Sequence, residues 1–260
     1  MDAQGFYDEP RLYDVLHSRG TASEVRGFQR LSARLGLDTR GPWLEPACGS
    51  GRYLRAAIAR GVRVAGFDMQ PHMLAYARRR LARYDASHWV LAKADMRTFD
   101  IQAFAPGWVF ELAFNPINTI RHLHSDEAIL AHFECIHRAL RPGGVYVVGL
   151  SLSMYGFEQP SEDIWHGARG TLRVQQVVQY TPAAGGPDRA ERVHNVLAVD
   201  TPGGTRIVPS SYTLRSYDRE QWEAIIDQSP FEMIGCVDEA GRSMTPSAIG
   251  YALWVLRRGR

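Results

Sequence analysis

Between residues 43 and 150 of this 260-residue chain, short apolar runs alternate with amphipathic stretches. Extended runs at 43–47, 62–67, 89–92, 109–114 and 145–150 are separated by helical periodicity at 52–60, 71–84 and 125–140. Strands interleaved with helices fold into a mostly parallel sheet with helices packed on it. The helix expected at 125–140 shows the pattern best, with Ile129, Phe133, Ile136 and Leu140 on one face and Pro142-Gly143-Gly144 as its stop. A leading helix at 23–37 carries Val25, Phe28, Leu31 and Leu35 at the same spacing, with Thr21 or Ser23 as cap and Gly36 as stop.

Beyond residue 165 the period changes from 3.6 to 2. Leu172, Val174, Val178 and Tyr180 alternate with Arg173, Gln175 and Gln179, and Val193, Leu197 and Val199 follow the same rule. A third extended run covers 205–214, and the Gly-Gly-Pro and Pro-Gly-Gly segments between these runs are turn chemistry. The chain therefore divides into an N-terminal helical lid (1–38), an α/β core (39–165), an antiparallel β insertion (166–215) and a completing segment (216–260). That last segment holds a helix at 217–228 and strands at 231–237 and 251–256. A loop at 162–169, with Trp165 and Arg169 as possible substrate contacts, joins core to insertion.

Composition removes several alternatives. Thirty basic against 28 acidic residues leave a net charge of +2, too weak a field for capturing a phosphate backbone. Arg78-Arg79-Arg80 with Arg83 would point several ways around a helix whose buried side is Met73, Ala77 and Leu81, so the run is a solvated face. No apolar run approaches the ~20 residues of a membrane span. Asp2, Asp8 and Glu9 stand where a secretory signal needs a basic start, so a cytoplasmic protein is expected. Cys48, Cys135 and Cys236 are too few and too scattered for disulfides or zinc, and no metal is expected. Cys48 reads as a small buried filler.

The segment Leu44-Glu45-Pro46-Ala47-Cys48-Gly49-Ser50-Gly51-Arg52 leaves a strand and enters a helix. In parallel sheets a ligand sits at such a turn, where small residues let backbone N–H groups approach it. A dinucleotide would call for glycine or alanine at 54, where leucine stands, and Glu45 would repel a pyrophosphate. A ligand carrying an ammonium group suits Glu45 instead. Asp68 closes the second extended run, where a carboxylate can take both ribose hydroxyls, and Met69 follows it. Ala94-Asp95-Met96 follows the third, where a carboxylate can accept from an adenine amino group and a methionine can pack on the ring. Amino acid, ribose and adenine together describe S-adenosylmethionine.

With these pieces in order, and with Arg141-Pro142-Gly143-Gly144-Val145 ahead of the fifth strand, residues 40 to 150 resemble the class I S-adenosylmethionine-dependent methyltransferases. Ala47 replaces the usual first glycine and Glu45 the commoner aspartate. The resemblance implies an α/β fold, a Rossmann-like seven-stranded sheet whose last strand is antiparallel, with helices on both faces and the small antiparallel insertion after the fifth strand. It implies an enzyme that transfers a methyl group from S-adenosylmethionine, with Glu45, Ala47, Gly49, Gly51, Asp68, Met69, Asp95, Met96 and Asn115 around the cofactor. Tyr13, in a segment with Tyr7 and Arg19, is the expected lid residue over it.

The acceptor pocket is expected beyond the fourth strand, at Asn115-Pro116-Ile117-Asn118-Thr119-Ile120-Arg121-His122-Leu123. Ile117 and Asn118 break the Asn-Pro-Pro-aromatic motif of methyltransferases acting on planar amino groups, which argues against a nucleic-acid substrate. The segment from Asn118 to Leu123 is nearer the pattern of methyltransferases acting on small amines, amino acids and amino sugars, with Arg121 as its departure. Asn115 and His122 are the candidate catalytic residues facing a small-molecule acceptor, His122 having the pKa range of a base near neutrality. His122 and His124 lack a third metal ligand. The expected reaction is methylation of a nitrogen, less readily an oxygen, of a small metabolite by a monomer or homodimer. Cyclisation of the same cofactor, a binding protein without turnover and, more distantly, a NAD-dependent oxidoreductase are the alternatives.

Overall fold

The computed structural model describes residues 7–246 and 249–259. The first six residues of the expected lid, Asp2 among them, lie outside this range. The described chain opens with helices α1 (Pro10–His17) and α2 (Thr21–Arg34), then β1 (Trp43–Pro46), α3 (Arg52–Ile58), β2 (Val64–Asp68), α4 (Pro71–Leu81) and β3 (Trp89–Lys93). It continues with β4 (Phe110–Asn115), α5 (Asp126–Ala139) and β5 (Leu140–Leu152). Four strands follow, β6 (Ser161–Arg169), β7 (Leu172–Thr181), β8 (Ala190–Thr201) and β9 (Gly204–Arg215). Helix α6 (Arg219–Asp227) and strands β10 (Phe231–Val237), β11 (Ser243–Met244) and β12 (Gly250–Arg258) complete the chain.

The main sheet runs β11-β10-β12-β5-β4-β1-β2-β3. Its first five strands pair in parallel, and β12 inserts antiparallel between β5 and β10. Strand order reverses between β1 and β4, the switch point outside whose carboxyl ends such sheets bind ligands. The seven expected strands are present with an eighth at the edge: β11 is two residues long and too short to leave a period in the sequence. Both faces are covered. Phe133, Ile136, Trp222 and Ile225 of α5 and α6 bury one, and Val25, Phe28, Leu54, Ala77 and Leu81 of α2 to α4 the other. Caps follow composition: the Ser125 side chain accepts from Ala128 N–H, and Asp218 with Gln221 forms a capping box on α6.

The second sheet is a four-stranded antiparallel unit, β6-β7-β8-β9. Its first strand occupies residues for which the sequence suggests a loop, so the sheet begins at 161 rather than 166. Strand β6 escapes a reading by periodicity because neither of its faces alternates in polarity; it is held by a nine-residue antiparallel register against β7. Helix α1 packs Leu12, Val15 and Leu16 on Leu172, Val174, Leu197 and Val199 of the sheet's inner face. A Cβ at Gly167 would lie 2.6 Å from the Val15 carbonyl oxygen, so glycine permits this approach. No helix among the described residues is long and apolar enough to cross a membrane.

Candidate active site

The glycine turn between β1 and α3 is held in left-handed backbone conformations: φ is 49° at Ala47, 51° at Gly49 and 68° at Gly51. Alanine at the first position pays roughly 1 kcal/mol for this. A Cβ at Gly51 would sit 3.1 Å from Ala77 Cβ of α4, whereas at Gly49 the nearest atom is Tyr13 Cε1 at 4.0 Å. Gly51 thus serves helix packing and Gly49 keeps the backbone open to a ligand. Asp68 ties this turn to β2: its carboxylate accepts from Gly49 N–H and from Gln70 N–H, both at 2.8 Å. Burial pushes its pKa up, and these N–H groups pull against that.

Beside the turn lies a small recess lined by Tyr13, Glu45, Ala47, Gly49, Asn115 and Thr119, among others. Glu45 and Asn115 are both buried. Asn115 Nδ2 donates to the Pro46 carbonyl at 3.0 Å, but Asn115 Oδ1 and Glu45 Oε2 have no donor among the described residues. Burial raises the Glu45 pKa well above the carboxylate range, with Arg52 acting in the opposite sense. Two orphaned acceptor oxygens on one recess fit a ligand ammonium, which would supply the missing donors. Asn115 is expected both around the cofactor and facing the acceptor, and it lies on this recess. It faces the recess and not the larger chamber where an acceptor would lie, because its amide is turned back onto β1.

That chamber, of about 600 Å³, opens from the turn. It is lined by Asp68, Met69, Asp95 and Met96 and by Tyr7, Tyr13, Thr119, His122, Tyr212 and Leu214, among others. Asp95 lines the chamber, yet its carboxylate is gripped by Arg97 Nε at 3.0 Å and Nη2 at 2.5 Å, which lowers its pKa. A free carboxylate for an adenine amino group is therefore not what the structure presents there. Behind Met96, fully buried His132 donates from Nδ1 to the Met96 carbonyl at 3.0 Å and accepts at Nε2 from Tyr146 Oη at 2.7 Å. Burial lowers its pKa to about 4.

At the acceptor end, His122 closes the 3₁₀ turn Thr119–His122, with Nε2 3.3 Å from Tyr7 Oη. The Tyr7 and Tyr212 ring centroids lie 5.9 and 5.5 Å from its imidazole. Burial, then His124 and Arg121, lower its pKa to about 4, so the ring is neutral at physiological pH. The preceding loop is strained, with φ of 58° at Ile117 and 62° at Asn118. Such a β-branched residue costs on the order of 1–3 kcal/mol. The loop is pinned by Tyr251 Oη, which accepts from Ile117 N–H at 3.0 Å. Two bonds join Asn118 to Ser151, at 3.0 and 2.7 Å. Gly149 gives it room, since a Cβ there would meet Pro116 Cα at 2.9 Å.

Other candidates lie elsewhere. Arg169 pairs with Asp14 at 2.8 Å and bonds Tyr76 Oη at 3.0 Å, and Trp165 is exposed on the second sheet; neither lines the chamber. Arg121 is buried against Glu191 at 2.8 Å and the Arg215 carbonyl at 2.8 Å, joining the acceptor loop to the second sheet. Cys48 is buried with its thiol pKa raised by burial, as a filler should be. Among the described residues no cluster of three or more His, Cys, Asp or Glu could hold a metal. Two contributors were not read from sequence. Tyr212 reaches the chamber only through the second sheet's register. Asp14, buried on α1, accepts from Tyr76, Ser18 and Arg169; its sole signal was an acid between Leu12 and Val15 on an apolar helix face.

A reversed parallel sheet, a left-handed turn under its switch point and two orphaned acceptors beside it make a site that suits S-adenosylmethionine, on the fold shared by class I S-adenosylmethionine-dependent methyltransferases. Residues 44–144 match the family model described as a methyltransferase domain. The dTDP-3-amino-3,4,6-trideoxy-alpha-D-glucopyranose N,N-dimethyltransferase of Streptomyces venezuelae is 26% identical over 182 residues, 70% of this chain and 71% of that one. The sugar N-methyltransferase KedS8 from a Streptoalloteichus species has this fold at TM-score 0.74 and 20% identity, covering 100% of this chain and 96% of its own. CalS10, an amino pentose methyltransferase from Micromonospora echinaspora, matches at TM-score 0.66 and 23% identity over 93% and 91% of the two chains.

Proposed function

We propose that this enzyme methylates the nitrogen of a small amine, an amino sugar before other acceptors. The observation that carries the reading is the neutral imidazole of His122, set among tyrosine rings in the same chamber as the glycine turn. The named activities of the similar proteins support it. When bound, S-adenosylmethionine supplies an electrophilic methyl group on a sulfonium. Glu45 and Asn115 would hold its ammonium, Asp68 its ribose, and Met69, Asp95 and Met96 would border its adenine, with Tyr13 covering it.

The chain's own task is alignment and proton removal. An amine is mostly protonated at neutral pH and has no lone pair to offer until that proton leaves. His122 Nε2, neutral and 3.3 Å from Tyr7 Oη, is the group placed to accept it. Three buried, reduced cysteines agree with a cytoplasmic setting. The test is S-adenosylhomocysteine release across a panel of free and nucleotide-linked amino sugars, amino acids and simple amines. Release with at least one amino sugar is expected, and His122→Ala should lower kcat about 10²–10³-fold with cofactor affinity unchanged. Silence from every amine, alongside turnover of an alcohol or phenol, overturns nitrogen as the target.

A further inference from the structure

We infer that the acceptor amine reaches this chamber without a phosphate group, as a free amine or as a glycoside, so that the reaction supplying it has already discarded any nucleoside diphosphate carrier. This rests on the amine reading proposed above and narrows it. Charge carries the argument. Arg97 is the one lysine or arginine among the described residues lining the chamber, and Asp95 holds its guanidinium through Nε and Nη2. Asp68 and Asp95 outnumber it and His122 is neutral, so the lining is an unfavourable place for a dianionic diphosphate. The arginines around the acceptor turn are committed as well. Arg121 is buried against Glu191, and Arg189 and Arg215 both pair with Asp126, at 3.0 and 2.9 Å. A guanidinium already closed on a carboxylate must be released before it can grip a phosphate.

The helix N-terminus beside the acceptor turn is closed too. Helix N-termini are the other common anion holders, and α5 starts at the chamber with Ser125. Ser125 Oγ accepts from Ala128 N–H at 3.1 Å, and Asp126 and Glu127 occupy the first turn. Those carboxylates offset the positive end of the helix dipole and repel phosphate. Room points the same way. One chamber of about 600 Å³ has to hold cofactor and acceptor together, whereas pockets of about 300–1,000 Å³ are usual for a single ligand. Tyr7, Tyr212 and Leu214 give the acceptor end an aromatic and apolar lining, suited to the C–H faces of a sugar ring or to an alkyl amine. The supplying reaction is then a glycosyl transfer or a hydrolysis. In either, the bond from the anomeric carbon to the diphosphate oxygen breaks as a bond to an alcohol or water oxygen forms, and the nucleoside diphosphate leaves with the electron pair. Methylation follows that step, or acts on an amine that was never activated.

The test takes the amino sugar giving most S-adenosylhomocysteine release and compares it as free sugar, methyl glycoside and dTDP-linked sugar. The dTDP-linked form should have a kcat/KM about 100-fold below the better of the other two, and the order of those two tells a free acceptor from a glycoside. Calorimetric titration of dTDP alone into protein holding S-adenosylhomocysteine should show no saturation below about 1 mM. Glu127→Lys, an exposed change at the start of α5, should lower the KM of the dTDP-linked form several-fold and leave that of the methyl glycoside in place. A dTDP-linked sugar used as well as the unlinked forms overturns the inference. So does dTDP binding at micromolar concentration, or a Glu127→Lys variant with the KM of the dTDP-linked form unmoved. Release from none of the three forms removes amino sugars from the proposed function, and the dTDP titration then decides this inference by itself.

Discussion

The floor and the roof of the chamber are secured by different means. The floor is backbone: three left-handed residues between positions 47 and 51 and two N–H groups on Asp68, from segments joined by a single helix. The roof is side chain on side chain across long stretches of sequence. Asp14 of α1 meets Arg169 of β6, 155 residues away, and Arg121 meets Glu191 over 70. A floor made of local geometry can hold one cofactor, whereas a roof made of distant pairs can change with the acceptor. That division predicts which substitutions damage both regions and which damage one.

The largest effect is expected at the roof's anchor. Burial works to raise the Asp14 pKa, but Arg55, Tyr76, Ser18 and Arg169 outweigh it and hold the group below its usual value. Asp14→Ala leaves these partners facing a gap and should cost about 3–5 kcal/mol in chemical denaturation. Acceptor KM should rise while cofactor affinity stays within a few-fold; an equal loss of cofactor affinity would merge floor and roof into one unit. At the floor, Asp68→Ala should weaken S-adenosylmethionine binding about 100-fold by calorimetry, the loss of a charged acceptor from the turn. Unchanged affinity would separate that carboxylate from the ligand.

A smaller effect tests the wall behind Met96. His132 is neutral in the fold with a pKa of about 4, against 6.5 for an ordinary histidine. Between those values the unfolded chain binds a proton that the folded chain refuses, so stability is full above pH 6.5 and falls as pH drops toward 4. His132 alone accounts for about 2 kcal/mol by pH 5. His132→Gln should remove its share of that slope and leave the similar contributions of His17 and His122, and a profile equally steep in the variant would assign the acid sensitivity elsewhere. The smallest effect belongs to Ala47→Gly. Relief of the left-handed alanine, less the added freedom of the unfolded chain, should stabilise by at most about 0.5 kcal/mol and leave cofactor affinity intact.

The same division governs what could be read in advance. Strands β1 to β5 and helices α3 to α5 announced themselves because each buries a face whose period survives in its own residues. The turn was legible because Gly49 and Gly51 occupy backbone angles that few residues accept. Strand β6 has no such period and α1 is only eight residues long, so the loop expected at 162–169 is a strand and Asp14 passed unnoticed. Asn115 carries two expected roles, at the cofactor and at the acceptor, because a strand terminus does not disclose which of two adjoining cavities an amide faces; it lines the recess. Asp95 was assigned without Arg97, whose grip depends on the turn they share.

Gly167 sets a clearance. With the Val15 carbonyl oxygen 2.6 Å from where a side chain would begin, even a methyl group there would wedge the first helix off the strand beneath it. Among chains built on this plan, the bulk of the residue at that spot should therefore track the size of molecule each can admit.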